Sequence, residues 1–436
     1  MRFILLLATL LSSVQLYAQF FSDSTLMNYN TQVSRSEIVV GDRESATKQT
    51  SKYIEIISDW SHPTDNRAIF ESKFTRPFSW IGRQIYLRVE GASMPYTVRV
   101  NGEECATVLS GSMPTEINIT KASVEGRNSV SITLLDDTAV ERIEGWMQSS
   151  VPSLKEVVVM SQPTQMVRDV AISTSVMGES LHSIVDIVVK SHALSERTST
   201  IHYALYNAGG EMVTFGRKGI TQSMRGEDTL SFSVTIPRRE GWSAENPNLF
   251  ELKLKTQHEG RYLEYQNYKV GFRAVEVDST TGDMSINGLP VVLEAKRVEG
   301  DKINVESIKS QGFNAIRVAA GSGSDELYAA CDSVGLYVIA PMPISSGGVS
   351  SNVVSGDNPS NNPKWWGAYM QRVDQGYYTS QLNGSVVAFS VADSSGNGYN
   401  MYESYLRLKA KEESRPVVYF EAGGEWNSDK LNINLK

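Results

Sequence analysis

Cysteine and histidine are scarce in this chain of 436 residues, which contains two cysteines and five histidines. So few cysteines exclude a disulfide-rich scaffold and a cysteine-ligated zinc protein. No His-Glu-x-x-His pair occurs, so the common zinc motif on a helix is absent as well. We therefore expect no metal and no cofactor, and we expect Cys105 and Cys331 to be buried thiols in different domains.

Positive charge is also in short supply, since 41 Lys and Arg residues stand against 49 Asp and Glu residues, a formal net charge of −8. Without a long Lys/Arg run, such a chain is not expected to bind nucleic acid. Apolar residues make up 41% and charged residues 21%, which is typical of a packed globular protein and excludes wholesale disorder. At roughly 150 residues per domain, the length predicts two to four domains.

Long apolar runs are missing after the first eighteen residues. Arg2 precedes an apolar run over residues 3–11, and residues 16–18 resemble a small-residue cleavage site before Gln19. This pattern predicts a secretory signal peptide over residues 1–18. No later run approaches the ~18 residues of a membrane-spanning helix, so no transmembrane segment is expected. We expect an exported protein, located in the periplasm, associated with the outer membrane or extracellular.

The periodicity of the remaining sequence changes twice. Residues 19–160 and then 161–278 alternate apolar and polar positions between turn residues, which predicts two β-sandwiches, the second of them immunoglobulin-like. Residues 279–436 alternate short apolar strands, the first over 291–293, with helix-like stretches, which predicts a parallel sheet with crossover helices. Five strands are expected, with four helices, over residues 304–311, 325–334, 365–381 and 402–412. A Ser/Gly/Asn-rich loop over 345–363 follows the third strand, on the side where barrels place their active sites.

Short motifs in all three segments resemble glycoside hydrolase family 2, the β-galactosidase, β-glucuronidase and β-mannosidase group. The motifs are residues 98–102 (Val-Arg-Val-Asn-Gly), 118–120 (Asn-Ile-Thr), 242–250 (Trp-Ser-Ala-Glu-Asn-Pro-Asn-Leu-Phe), 270–273 (Val-Gly-Phe-Arg), 287–291 (Asn-Gly-Leu-Pro-Val), 312–317 and 331–338. The resemblance implies a multidomain β plus α/β protein. Its domains would be a sugar-binding-like jelly-roll β-sandwich (19–160), an immunoglobulin-like β-sandwich (161–278) and a truncated TIM-type (β/α) barrel (279–436).

The residues that carry the family's chemistry are not found at the matching positions. Retaining glycosidases need one carboxyl group as acid/base and a second as nucleophile. Residues 389–396 (Phe-Ser-Val-Ala-Asp-Ser-Ser-Gly) match the acid/base motif, with Ser394 in place of the glutamate and Asp393 in place of an asparagine. A serine hydroxyl does not act as a general acid near neutral pH. The match also ends before the strand that bears the nucleophile, so the resemblance implies a pseudoenzyme without catalytic residues.

Two carboxyl groups keep an enzymatic interpretation open. Asp393 and Glu421 are expected at the carboxyl ends of neighbouring strands, and carboxyl groups ~6.5–9.5 Å apart support inverting hydrolysis. The alternative is that each bonds to local backbone or pairs with a nearby arginine such as Arg317. A buried pair between Arg415 and Glu421 is expected to close the last strand.

Three tryptophans are candidates for substrate binding, because flat indole faces can stack on sugar rings. Trp365, Trp366 and Trp426 flank the predicted mouth of the barrel. The alternative for Trp365 and Trp366 is a helix start packed against the barrel wall.

Five parallel strands cannot close an eight-stranded barrel, so the first and fifth strands have unpaired backbone groups. Either the C-terminal tail folds over the gap, a partner covers it, or the sheet rearranges; we expect a protein partner or self-association. The sequence thus predicts an inactive, exported family-2-like protein that binds carbohydrate or serves as a structural or assembly component of an envelope complex. The alternatives are a divergent hydrolase that cleaves β-O-glycosidic bonds and the product of a degraded enzyme gene.

Overall fold

The computed structural model describes residues 27–35, 39–41, 52–61, 68–135, 143–145, 151–300, 302–346, 358–424 and 426–436. The predicted signal peptide lies outside the described residues, as do residues 347–357 of the predicted loop. Within the described residues, no helix has the length and apolarity needed to cross a membrane.

The first part of the chain forms two packed β-sheets. Its strands are β1 (Gln32–Val33), β2 (Val39–Gly41), β3 (Ile54–Ile56), β4 (Ile69–Arg76), β5 (Gln84–Val89), β6 (Tyr96–Val100), β7 (Glu103–Val108), β8 (Thr115–Asn118), β9 (Gly126–Leu134) and β10 (Val157–Gln162). One sheet has the order β1-β8-β5-β10-β3 and the other β4-β9-β6-β7. In β9, Val130, Ile132 and Leu134 are buried while the residues between them are partly exposed, because alternate side chains of a strand face opposite sides of the sheet. The apolar alternation in the sequence therefore produces the sandwich core.

A second sandwich follows, and the same alternation builds it. Its strands are β11 (Gln165–Met177), β12 (Ser180–Ser191), β13 (Arg197–Tyr206), β14 (Met212–Gln222), β15 (Glu227–Pro237), β16 (Phe250–His258) and β17 (Arg261–Val270). The sheets have the orders β11-β12-β15 and β14-β13-β16-β17-β2, so β2 from the first part of the chain joins this sandwich. A small sheet of β18 (Val275–Val277), β19 (Met284–Ile286) and β20 (Leu289–Val291) then leads into the last unit.

The last unit alternates strands and helices as predicted. Its elements are β21 (Leu293–Val298), α1 (Val305–Ser310), β22 (Ala315–Val318), α2 (Asp325–Val334), β23 (Tyr337–Pro341), α3 (Trp366–Ser380), β24 (Val386–Ser390), α4 (Tyr399–Lys411), β25 (Val417–Val418) and β26 (Ile433–Leu435). The strands form one parallel sheet in the order β25-β24-β23-β22-β21-β26. The predicted fold class, two sandwiches and a truncated TIM-type barrel, is confirmed. The position of the first strand was wrong: residues 289–291 belong to the small sheet, and β21 begins at Leu293.

Helix α2 shows how local sequence sets an element and its packing. The Ser324 side chain accepts a hydrogen bond from the Leu327 amide at the N-terminus, and Gly335 ends the helix with a left-handed backbone (φ +83°). A Cβ atom on Gly335 would lie 2.3 Å from the carbonyl oxygen of Ala244. Glycine at this position therefore allows the second sandwich to approach the barrel closely.

The C-terminal segment covers the edges of the five-stranded sheet. Strand β26 pairs in parallel with β21, and the Asp429 amide donates to the carbonyl of Val417 in β25 at 2.8 Å. Leu431 and Ile433 pack against Ile339, Ala388 and Val418 (the last three buried) on the inner side of the sheet. Of the three outcomes considered for the open barrel, the structure therefore shows the tail folding back.

Buried ion pairs join the three units. Arg88 of β5 contacts Asp325 at the start of α2 at 2.8 Å and Glu116 of β8 at 3.5 Å. Glu116 in turn pairs with Arg168 of β11 in the second sandwich. Each partner compensates the other's burial, so these contacts hold the three units together.

Candidate functional site

The site lies where the barrel strands end. Arg297 belongs to β21, Arg317 to β22, Asp393 and Ser394 follow β24, and Glu421 follows β25. We call these five residues the barrel mouth. Parallel strands all end on the same side of a sheet, and barrel enzymes use this side for catalysis.

Asp393 is fixed by two arginines. Its Oδ2 lies 2.7 Å from a terminal guanidinium nitrogen of Arg297, and its Oδ1 lies 2.9 Å from one of Arg317. The carboxyl side chain is 9% exposed, Arg317 is 12% exposed and Arg297 is 44% exposed, so solvent screens the pair with Arg317 more weakly than the pair with Arg297. The predicted alternative, pairing of Asp393 with Arg317, is confirmed. Arg297 is a site residue that the sequence analysis missed, because the predicted first strand ended before it.

The arginines have further contacts that orient them. Arg317 stacks over the Phe420 ring at 4.0 Å, and Arg297 also pairs with Glu299 at 2.7 Å. Hydrogen bonds that Arg297 donates to Glu299 and Asp393 raise the pKa of Arg297, so this guanidinium stays charged. Both oxygens of the Asp393 carboxyl group are therefore held by arginine side chains.

Ser394 is exposed beside Asp393, with its backbone at φ +42°, which is uncommon for a residue other than glycine. Its hydroxyl has no ionisation near neutral pH that could protonate a leaving group.

Glu421 is the second carboxyl group of the mouth and is exposed, although neighbouring atoms partly desolvate it. Burial raises its pKa above the ordinary 4.5, the charge of Asp393 raises it further, and the amides of Ser395 and Ser394 and the charge of Arg317 oppose this. A carboxyl group with a raised pKa can hold a proton closer to neutral pH, which is the property of a general acid. Glu421 is therefore the one mouth residue whose environment favours acid chemistry.

The predicted pair between Arg415 and Glu421 was wrong. Arg415 pairs with Glu412 at 2.9 Å between Nε and Oε2. Arg415 precedes β25 and Glu421 follows it, so the two residues lie at opposite ends of the strand. Glu412 is three positions from Arg415 along the chain and reaches it locally.

The three candidate tryptophans differ in exposure. Trp365 is 7% exposed and belongs to the barrel core, so the packing alternative holds for it. Trp366 is 42% exposed, with its indole N–H 3.4 Å from the carboxylate of Glu403 in α4. Trp426 is 58% exposed and stacks on Tyr402 with ring centroids 4.5 Å apart.

Trp366 and Trp426 thus both contact one helix, α4. Tyr399, at the start of this helix, is also 44% exposed. We call Trp366, Tyr399, Tyr402 and Trp426 the aromatic rim. The tyrosines were missed because the predicted helix began at residue 402 and tyrosine is common throughout the chain.

Metal-binding side chains do not gather in the part of the chain that the structure describes, where no group of three or more His, Cys, Asp or Glu residues could hold an ion. Cys105 and Cys331 are both buried and not bonded to each other. Burial raises the pKa of both thiols, most strongly for Cys331, which makes them unreactive.

Comparison with known proteins identifies the family of this chain. The model described as "Glycosyl hydrolases family 2" matches residues 165–273, and that described as "Glycosyl hydrolases family 2, TIM barrel domain" matches residues 292–435. Together they cover more than half of the chain.

Curated relatives include β-galactosidases from Psychromonas ingrahamii, 25% identical over 83% of this chain and 36% of the relative, and from Photobacterium profundum, 26% identical over 77% and 34%. The chain therefore spans about a third of the length of these curated relatives.

Solved structures show the same fold. A β-glucuronidase from Bacteroides uniformis matches with a TM-score of 0.68 at 17% identity, over 90% of this chain and 52% of that one. A putative β-galactosidase from Bacteroides fragilis matches with a TM-score of 0.66 at 16% identity, over 80% and 55%. On the family models and these similarities, the chain belongs to glycoside hydrolase family 2.

Proposed function

We propose that this protein binds carbohydrate at the aromatic rim and the barrel mouth without hydrolysing it. The observation that carries the proposal is the double ion pair of Asp393 with Arg297 and Arg317. These ion pairs engage both oxygens of the Asp393 carboxyl group, which lies next to the position that matches the acid/base glutamate. Ser394 is the residue at that position, and it has no carboxyl group. Leu431 and Ile433 further support it, since their apolar side chains pack against Ile339, Ala388 and Val418 of the barrel sheet.

The rim supplies the surface for a sugar ring. Tyr402 stacks on the ring of Trp426, yet more than half of the Trp426 side chain remains in contact with solvent. Trp366, whose indole N–H contacts Glu403 of α4, presents a second exposed indole. A pyranose ring has an apolar face of C–H groups that matches such an indole, and its hydroxyls need polar partners, which the carboxylate of Glu403 can provide.

Binding is tested with a glycan array followed by calorimetric titration of the best glycan. We expect W426A and W366A each to weaken binding by about tenfold or more, because each removes an exposed stacking surface. The matched control is F215A, which removes an aromatic ring that is 72% exposed but lies in β14 of the second sandwich. Equal affinities of W426A, W366A and wild type for every glycan found would contradict a rim site.

Catalysis is tested with aryl β-galactosides, β-glucuronides and β-mannosides. We expect the wild type and D393N to show the rate of buffer alone. The second candidate function is inverting hydrolysis, favoured by the raised pKa of Glu421 next to Asp393. Turnover by the wild type that both D393N and E421Q abolish would establish this second function and overturn the first.

Export and envelope assembly are also proposals. The sequence of residues 1–18 supports export, and fractionation of cells that express the full chain, with an antibody against it, tests the location. A partner or second copy would add to β26, the terminal strand of the barrel sheet, where Leu435 is 43% exposed. Light scattering tests self-association, which L435K should abolish if this strand forms the contact.

A further inference from the structure

The contact between the two sandwiches contains a buried acid that the proposed function does not use. Glu264 of β17 and Gln162 of β10 are both fully buried there. The amide Nε2 of Gln162 donates to Oε1 of Glu264 at 3.2 Å. Glu264 belongs to the second sandwich and Gln162 to the first, so this hydrogen bond crosses from one unit to the other.

Each of these two side chains also has an oxygen atom that accepts no hydrogen bond. Among the described residues, neither Oε2 of Glu264 nor Oε1 of Gln162 has a hydrogen-bond partner. A buried polar atom without a partner is costly, and two oxygens that both only accept cannot satisfy each other. One proton on the Glu264 carboxyl group would remove the conflict, since a protonated acid is a donor as well as an acceptor.

The nearby cation does not pair with Glu264. Arg83 directs its Nε and one terminal nitrogen to the hydroxyl and carbonyl of Ser161, at 2.8 and 2.9 Å, and its other terminal nitrogen to the carbonyl of Leu263 at 3.0 Å. Its guanidinium also stacks over Tyr53 at 4.2 Å. All three nitrogens of this arginine therefore bond to neutral acceptors.

The remaining groups around the acid are few. Gln266, on the same strand, donates to the carbonyl of Val167 and accepts from the Tyr268 hydroxyl at 2.7 Å. Beyond Tyr268, Arg168 and Asp169 of β11 carry charges. Tyr268 itself has a pKa raised well above 10 by burial, so it stays neutral.

We propose that Glu264 is held as a neutral acid that forms a cyclic acid–amide pair with Gln162, and that its ionisation weakens the contact between the two sandwiches. In the pair, the amide N–H donates to Oε1 and the acid O–H on Oε2 donates to the amide oxygen. Loss of the proton leaves a buried carboxylate next to an unpaired amide oxygen. The contact is thus a pH-sensitive element built into the fold.

The electrostatics agree with this geometry. Burial raises the pKa of Glu264 to about 7, against the opposing charge of Arg83 and the nearby donors of Gln162, Gln266 and Val167. Because the folded-state pKa lies above the ordinary 4.5, the stability that the neutral acid contributes is present below pH 4.5 and is lost as pH rises toward 7. His192, at the same contact, has its pKa lowered from 6.5 to about 4 by burial, and its effect on stability is common to wild type and a Glu264 variant, so it cancels in their difference.

The test uses E264Q, which mimics the neutral acid at every pH. We expect E264Q to match the midpoint of thermal unfolding of the wild type at pH 5 and to exceed it by about 2–4 °C at pH 8.5. Asp169, whose pKa burial raises to about 6, titrates in both proteins, so its effect cancels in the difference. Hydrogen exchange of β10 and β17 should be slower in E264Q than in wild type at pH 8.5.

The matched control is E116Q, at the same contact between the sandwiches. Glu116 pairs with Arg88 and Arg168, so its neutralisation should lower the midpoint at both pH values. A difference between E264Q and wild type that is the same at pH 5 and pH 8.5 would overturn the proposal.

A measurement on the wild type keeps the proposal testable if E264Q folds poorly. The infrared carbonyl band of a protonated carboxylic acid should be present at pH 6 and disappear by pH 8.5. Part of it should remain in D169N, which removes Asp169, the acid whose pKa burial raises to about 6. A D169N protein without any such band at pH 6 would show that Glu264 is ionised and would refute the acid–amide pair.

Discussion

Glu412 gives the sharpest stability prediction, because its ion pair with Arg415 is buried and strongly perturbed. The Glu412 carboxylate accepts from Nε of Arg415 at 2.9 Å, and its other oxygen accepts from the amides of Ser414 and Arg415, both at 3.1 Å. Burial would raise the pKa of Glu412, but the charge and hydrogen bonds of Arg415 outweigh it and lower the pKa from 4.5 to about 2.

The variant to test is E412Q, and the expected loss of folding free energy follows from the lowered pKa of Glu412. At about 1.4 kcal/mol per pH unit, a pKa of about 2 rather than 4.5 corresponds to about 3 kcal/mol of folding free energy at neutral pH. The neighbouring Arg273 adds to the loss in the variant. Burial, and then the charge of Arg415, lower its pKa to about 9, and Glu412 is an anion that compensates it.

The pH dependence has a definite sign. A lowered folded-state pKa contributes stability that is present above the ordinary 4.5 and is lost as pH falls toward 2. E412Q should therefore be less stable than wild type by about 3 kcal/mol at pH 7, and the deficit should shrink steadily below pH 4.5. Urea unfolding followed by tryptophan fluorescence at pH 7, 4.5 and 3 measures this.

The matched control for E412Q is E413Q, which neutralises the exposed neighbouring acid. It should leave the free energy of unfolding within about 0.5 kcal/mol of the wild-type value. A deficit of E412Q no larger than that of E413Q at pH 7, or one that is constant down to pH 3, would refute the reasoning.

Two further predictions concern contacts between the units of the fold. R372M removes the 2.6 Å partner of the buried Glu144 and should cost about 3–5 kcal/mol at pH 7, measured by chemical unfolding, because a buried charge is left unpaired. Burial already raises the pKa of Glu144, so the R372M deficit should decrease in acid, and a deficit independent of pH would contradict this account. G335A should lower the midpoint of thermal unfolding, since its Cβ would lie 2.3 Å from the carbonyl oxygen of Ala244 and its backbone is left-handed. G300A, at a left-handed glycine with no atom within 4 Å of the added Cβ, is its control and should lose less.

The elements of the barrel were predictable because their signals are local. Helix α2 was predicted with its observed bounds, since Ser324 and Gly335 mark its two ends in the sequence. Helix α4 begins at Tyr399, three residues before the prediction. Helix ends depend on contacts as well as on periodicity, and the Tyr399 amide donates to the side chain of Asn361, 38 positions earlier.

Strand β26 was not predicted, although tail closure was one of the outcomes considered. Three residues are too few to show a period, and its partner β21 lies about 140 positions earlier in the chain. The error over Arg415 has a related cause. Sequence proximity to both Glu412 and Glu421 does not tell which carboxylate lies at the same end of β25.

By itself, the sequence determined the order of two sandwiches and a parallel sheet, the positions of the barrel helices, and the absence of a glutamate at position 394. These features depend on periodicity, helix caps and residue identity, which a short stretch of sequence contains. Only the tertiary structure brought the charged groups of the candidate site together, since Asp393 meets Arg297 and Arg317 from strands 96 and 76 positions away. It alone also placed Glu264 against Gln162. A buried ionisable group takes its properties from the partners and the desolvation that folding imposes on it, and neither is contained in its immediate sequence.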